Sequence, residues 1–271
     1  MDIKTKAQHF RALHLGPRPL LIANAWDAGT ARILAGLGFQ AIATSSGAHA
    51  GTLGRRDGKV TRAEALEHAR AVAGATNLPV SADLEKGFGD RPEDAMETIR
   101  LAGATGLVGG SIEDSSGDKD RPIFDIDLAT ARIAASVAAA RTLPFAFTLT
   151  ARCESHLWGA ADVADTIARL QAYERAGADV LMAPALPDLE AVRKVCASLT
   201  KPFSFMAGIK GKSWSVAELE ACGVKRISFA TSLYRAALGG MMDAGREILE
   251  HGTFTYLDRA PSSGEVAKHL D

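Results

Sequence analysis

Cysteine is scarce. Cys153, Cys196 and Cys222 in 271 residues are too few, too scattered and odd in number for a disulfide framework, and no C-x-x-C or Cys/His spacing suits structural zinc. Basic excess is lacking too: 31 Lys+Arg against 32 Asp+Glu leave a net charge of −1, which argues against a nucleic-acid or anionic-membrane surface. No apolar run approaches the ~20 residues of a membrane span, and the opening MDIKTKAQHFRALHLG is amphipathic without the apolar core of a signal peptide. A soluble, reducing, cytoplasmic setting is the expectation. Aromatics are 6% of the chain, and Trp26, Trp158 and Trp214 read as packing residues. The seven histidines form no H-x-x-x-H pair, and His49 and His156 read as structural. Gly208-Ile209-Lys210-Gly211-Lys212-Ser213 imitates a phosphate loop but has two residues between its glycines where four are needed.

What the chain does contain is one repeated unit, a short apolar run followed by an alanine-rich amphipathic run. The apolar runs are Leu20–Asn24, Ala41–Ser45, Pro79–Asp83, Gly106–Glu113, Phe145–Arg152, Asp179–Ala183, Phe203–Ala207 and Arg226–Ala230. Helical stretches follow at 27–37, 61–74, 92–102, 127–141, 159–176, 188–198, 215–222 and 232–250. Starts after Asp27, Thr61, Pro92 and Asp188 suit N-caps, and Gly38, Gly103, Gly177 and Gly223 suit helix ends at positive φ. Continuous apolar strands fit a parallel sheet covered by helices, and eight βα units close a barrel. The expected fold is therefore α/β, a single-domain (β/α)8 TIM barrel over residues 1–271. It comprises an N-terminal helix within 1–19, βα units over 20–250 and a C-terminal arm at 251–271. An open doubly wound sheet is the alternative.

A barrel's active site lies where its strands end. Asp83 and Glu85 close the third run, and Glu113 closes the fourth. Three carboxylates converging on one mouth repel unless a cation lies between them or their protons stay on. Few, hard oxygen ligands suit Mg²⁺, with Mn²⁺ as the other ion such donors accept. The plain alternative is helix capping or pairing with Lys86 and Arg91. Arg152 closes the fifth run; its planar fork suits a carboxylate, against the alternative of a salt bridge to Glu113 or Glu154. Ser45-Ser46-Gly47 closes the second run with small residues and N–H groups able to hold an oxyanion.

At these residues the chain resembles the isocitrate lyase/phosphoenolpyruvate mutase superfamily, from Asn24-Ala25-Trp26-Asp27 through Arg226-Ile227-Ser228. The most specific stretch is Asp83-Leu84-Glu85-Lys86-Gly87-Phe88-Gly89, with Ser111-Ile112-Glu113-Asp114 and Ala151-Arg152. The resemblance implies a barrel, Mg²⁺, an α-oxo acid or dicarboxylate substrate, and a homodimer or homotetramer exchanging a C-terminal helix. By position it implies Asp83, Glu85 and Glu113 as metal acids, Ser46, Gly47 and Ala48 as the substrate cradle, and Arg152 as the substrate's grip. Asp57 matches an acid near the metal, and Lys119 the lysine of a gating loop. Two residues after Lys119, isocitrate-type lyases carry a cysteine; this chain has Arg121. The asparagine or threonine of the phosphorus–carbon enzymes is also missing. The leading expectation is an Mg²⁺-dependent lyase or decarboxylase cleaving a carbon–carbon bond of an oxaloacetate-like acid through an enolate. The alternatives are phosphorus–carbon chemistry and a catalytically silent barrel that binds an oxo acid.

Overall fold

The structure, a computed structural model, describes residues 1–159 and 162–270. Eight parallel strands form a closed barrel in sequence order. They are β1 (Leu20–Ala25), β2 (Ala41–Thr44), β3 (Val80–Asp83), β4 (Gly109–Glu113), β5 (Thr148–Arg152), β6 (Val180–Met182), β7 (Phe203–Met206) and β8 (Arg226–Ser228). Closure runs through Leu20 opposite Arg226, Leu21 opposite Ile227 and Ile22 opposite Ser228.

Helix α1 (Ile3–Leu13) precedes the barrel. The outer layer is α2 (Ala28–Gly36), α3 (Ser46–Thr52), α4 (Arg62–Gly74), α5 (Pro92–Ala102), α6 (Ile126–Thr142), α7 (Val163–Arg175), α8 (Leu189–Ala197), α9 (Val216–Ala221) and α10 (Ser232–His251). A 3₁₀ turn (Thr255–Asp258) and α11 (Ser263–Ala267) follow. The expected helix over 159–176 thus begins at Val163; Ala160 and Ala161 lie outside the described residues.

The caps are those the side chains dictate. Asp27, Thr61 and Asp188 accept from backbone N–H groups of their first turns, each worth about 1 kcal/mol. Pro92 opens α5, where no amide hydrogen is needed. Gly38, Gly177 and Gly223 do take positive φ. Gly103 does not: its φ is −58°. It is glycine because a Cβ there would lie 2.4 Å from Leu143 Cδ2; Gly106, at φ +90°, makes the left-handed turn instead.

The bottom of the barrel is plugged by α1. Phe10 is fully buried under β4, so close that a Cβ on Gly109 would lie 2.9 Å from Phe10 Cε1. Above the plug the interior departs from the branched apolar filling usual in such barrels. Ser81, Ser111, Thr150, Ser204 and Ser228 line it, with Arg226 among them. Space remains at the top for a cavity of about 230 Å³.

The C-terminal segment lies against α2, where Arg32 Nη1 donates to the Leu270 carbonyl. Helix α10 has no buried residue, and Met241 (63% exposed) and Leu249 (87%) stand free on it. Among the described residues no helix is long and apolar enough to cross a membrane.

Candidate active site

Strand ends β2, β3 and β5 bring Ser45, Ser46, Gly47, Asp57, Asp83 and Arg152 around the mouth of the cavity. Ser45 is the N-cap of α3, a short helix hidden in the sequence by its glycines. The Ser46 hydroxyl (2.9 Å) and Ser46 N–H (3.2 Å) both donate to Asp83 Oδ2. The Glu85 N–H reaches Asp83 Oδ1 at 3.3 Å, so the Asp83 carboxylate is fixed from two sides. Asp57 stands at the lip, and its Oδ2 lies 3.0 Å from where a Cβ on Gly47 would sit. Any side chain at Gly47 would push this acid away.

Arg152 is the hub. Its Nη1 lies 3.5 Å from Glu113 Oε2 and 3.8 Å from Asp83 Oδ1, and its Nε donates to Glu154 Oε1. The salt bridges weighed as its plain alternative therefore exist, to Glu113 and Glu154 together and to Asp83 besides. Glu154 is buried and stacked behind the site; the sequence offered it only as a partner for Arg152. A second buried acid holds the strand ends in register. Asp114 Oδ2 accepts from Tyr173 Oη (2.6 Å) and Arg169 Nη1 (3.4 Å), while its Oδ1 accepts from the Glu154 N–H (2.7 Å).

One arginine thus faces five acids: Asp57, Asp83, Glu85, Glu113 and Glu154. Burial, then Asp83 and Asp57, push the Glu85 carboxyl up to about 8. Burial likewise holds Glu113 well above the ordinary carboxyl range, with Arg152 opposing. Asp57 is raised by burial and by Asp83. Acids crowded this way ionise together when a hard cation joins them, so the donor set fits Mg²⁺. The side chains are not yet gathered for it. Among the described residues no three of them form a ready metal cluster, and Arg152 lies between Asp83 and Glu113. Glu85 faces a neighbouring cleft with Asp83, Ser46, His49 and His68.

The turn carrying Glu85 is strained in a way that positions it: Glu85 (φ +50°), Gly87 (+83°) and Phe88 (+60°) are all left-handed. Arg132 of α6 clamps this turn, donating to the carbonyls of Lys86, Gly89 (2.9 Å) and Arg91 (3.3 Å) while 1% exposed. Sequence reasoning missed Arg132; the available signal was a lone arginine on the buried face of an alanine-rich helix.

Other residues are not brought in. Ala48 is buried inside α3, and its N–H is taken by Ser45 Oγ at 3.3 Å. Lys119 stands at the exposed tip of a hairpin closed by the Ser115–Ile123 bridge and by Ser116 N–H to Pro122 O (2.8 Å). It lines no part of the cavity. Cys153 is 1% exposed with its thiol pushed up to about 12 by burial, an inert group. His49 stacks on His68 at 3.8 Å between ring centroids. Trp158, expected to pack, is 47% exposed, next in sequence to Leu157, which lines the cavity.

Comparison with known proteins adds the following. The family model described as phosphoenolpyruvate phosphomutase matches residues 10–249. The oxaloacetate decarboxylase of Chromohalobacter salexigens is 29% identical over 255 residues, covering 90% of this chain and 87% of its own. The 2-methylisocitrate lyase of Salmonella typhimurium is 32% identical over 202 residues, 72% and 67% of the two chains. A crystal structure from Burkholderia cenocepacia J2315, provisionally described as a lyase/mutase, superposes with a TM-score of 0.96 at 48% identity, covering 98% and 95%.

Proposed function

The chain belongs to the isocitrate lyase/phosphoenolpyruvate mutase superfamily, and from that membership and the geometry above we propose that it is a carbon–carbon lyase acting on a small α-oxo or related dicarboxylic acid of the oxaloacetate type. The observation that carries the reading is the single guanidinium of Arg152 set among Asp83, Glu113 and Glu154 at the mouth of a polar cavity. Asp83, Glu85 and Glu113 would hold Mg²⁺ or Mn²⁺. When bound, the ion supplies Lewis-acid polarisation of the substrate's oxo group.

The chain's own residues do the rest. Arg152, anchored through Nε to Glu154, offers its remaining N–H groups to the substrate's first carboxylate. The Ser46 amide and hydroxyl are occupied in orienting Asp83, which leaves the Gly47 N–H to face the oxo oxygen. Breaking the bond at C3 leaves negative charge on an enolate, which these fixed donors stabilise without reorganising. Asp57, kept closer to its protonated form by burial and by Asp83, is placed to hand a proton to the enolate carbon once the bond at C3 has broken.

A panel of oxaloacetate, C3-substituted oxaloacetates and malate-type acids, read by oxo-acid formation with Mg²⁺, tests this. Turnover of one member is expected, abolished by EDTA and restored by Mg²⁺. If no member turns over, yet oxalate binds by calorimetry, the barrel is a silent binder and the lyase reading is wrong.

We propose further that the chain assembles as a homo-oligomer through α10. A 20-residue helix with no buried residue, followed by Phe254 (60% exposed) and Leu257 (59%), leaves apolar surface that a second copy would cover. Sedimentation should give a dimer or tetramer at micromolar concentration, and a monomer there would rule the assembly out.

A further inference from the structure

Arg226 is a buried cation without a counter-ion. It projects from β8 into the barrel and is 5% exposed. Nε donates to Ser204 Oγ at 2.8 Å and Nη2 to Thr150 Oγ1 at 3.0 Å. Nη1 lies 3.4 Å from His14 Nε2. His14 Nδ1 meets the Phe10 carbonyl at 2.8 Å, so Nδ1 carries the hydrogen and Nε2 accepts from Arg226. Every partner is neutral. Among the described residues no carboxylate lies within ion-pair distance, and burial pulls the guanidinium pKa down to about 10 with nothing opposing it. Burying a charge against neutral acceptors alone is costly, and an arginine that served only as a cross-link could be replaced by an apolar residue at a gain.

Its position gives the cost a use. Arg226 is part of the wall of the same cavity that Arg152 and Asp83 line at the top. Thr150, which holds Arg226, lies two residues before Arg152 on β5, a step of roughly 6.6 Å along the strand. The same wall carries the small hydroxyl residues Ser81, Ser111 and Ser228. The shaft is therefore polar and positive at its floor, beneath a mouth where acids prevail. Its length is comparable with that of a short dicarboxylate.

We propose that Arg226 is the recognition group for the distal carboxylate of the substrate, at a subsite on the floor of the cavity. The inference rests on the reading above that Arg152 and the strand-end acids handle the oxo-acid end. It narrows the substrate class to dicarboxylates that reach down the shaft. It also narrows the bond. An arginine on a carboxylate stabilises its ionised form, whereas decarboxylation at that group must discard the charge. Cleavages whose product keeps the distal carboxylate are the ones this floor favours.

Calorimetry on the full-length protein with Mg²⁺ tests it using two probes: oxalate, which has no distal carboxylate beyond the oxo-acid end, and 3,3-difluorooxaloacetate, which does. Arg226→Gln should weaken the difluoro acid tenfold or more and leave oxalate within about twofold, since one charge-assisted contact is removed. Arg226→Lys, which keeps the charge, should recover part of the loss. Ser111→Val narrows the shaft without touching Arg226 and should exclude the difluoro acid while admitting oxalate; it carries the test if Arg226→Gln does not fold. Equal weakening of both probes, or no selective loss in the folded variants, overturns the subsite. Wild-type protein that binds oxalate but not the difluoro acid overturns it as well. Wild-type protein that binds neither probe removes the functional reading together with this inference.

Discussion

Asp83→Asn should cost about 10³ or more in metal-dependent kcat/KM while the thermal midpoint stays close to wild type, because one unit charge about 4 Å from a cation is worth about 4 kcal/mol at the effective dielectric of a partly buried site. Asparagine keeps the shape and, with its oxygen turned to Ser46, still accepts from the Ser46 hydroxyl and amide, so the α3–β3 junction remains tied and only the longer 3.3 Å contact from the Glu85 N–H is lost. What disappears is one negative charge among five. That loss relieves the remaining acids: Asp83 is, after burial, the largest cause of the raised Glu85 carboxyl, which should drop back from about 8 toward its ordinary range. The variant is thus expected to fold at least as readily as wild type and yet fail to turn over at Mg²⁺ levels that saturate the native enzyme. Glu113→Gln should behave alike, since Glu113, like Asp83, is an acid facing Arg152 Nη1. Steady-state kinetics over a Mg²⁺ titration, beside thermal melts, separate the two effects. Full activity in both variants would remove the metal site from Asp83 and Glu113.

The barrel was legible because its signals are local. Eight apolar runs of strand length, each leading into an amphipathic helix, report strand burial and helix period independently of contacts far along the chain. Most strand boundaries agree within two residues. The exceptions are β4 and β5, expected to start at Gly106 and Phe145 and found at Gly109 and Thr148. There the apolar run begins ahead of the regular strand: Leu107 and Val108 are buried, and Val108 already exchanges backbone hydrogen bonds with Val80 and Thr148 before β4 begins. The carboxylates were legible for a similar reason, since the end of a barrel strand is fixed once the strand is found. Arg226, His14 and Arg132 were not. A cation near the start of a strand or within a helix reads as surface charge, and only the closed barrel turns Arg226 inward and brings α1 beneath it, 212 residues away in sequence. The short helix α3 was hidden by two glycines and revealed by the Ser45 cap.

Arg152→Lys separates two roles that the geometry assigns to one side chain. Arg152 neutralises Glu113 and Glu154, and its planar fork is placed to grip a carboxylate. Lysine keeps the positive charge but not the fork. If neutralisation is the whole task, Arg152→Lys should stay active. If the fork grips the substrate, turnover should fall by about 10², the usual effect of losing one oriented donor in such a site, with stability little changed. The second outcome is expected, because the Nε of Arg152 is committed to Glu154 and only a guanidinium can hold that acid while presenting a separate planar pair of N–H groups to the cavity. Arg152→Ala answers a different question. It leaves Glu154, whose side chain is 3% exposed, without its counter-ion, and breaking a buried pair from one side costs about 3–5 kcal/mol. Urea denaturation should therefore show Arg152→Ala strongly destabilised and Arg152→Lys near wild type, while kinetics show both impaired. An Arg152→Lys enzyme with native kcat/KM would reduce Arg152 to a counter-ion and move the grip on the substrate elsewhere in the cavity.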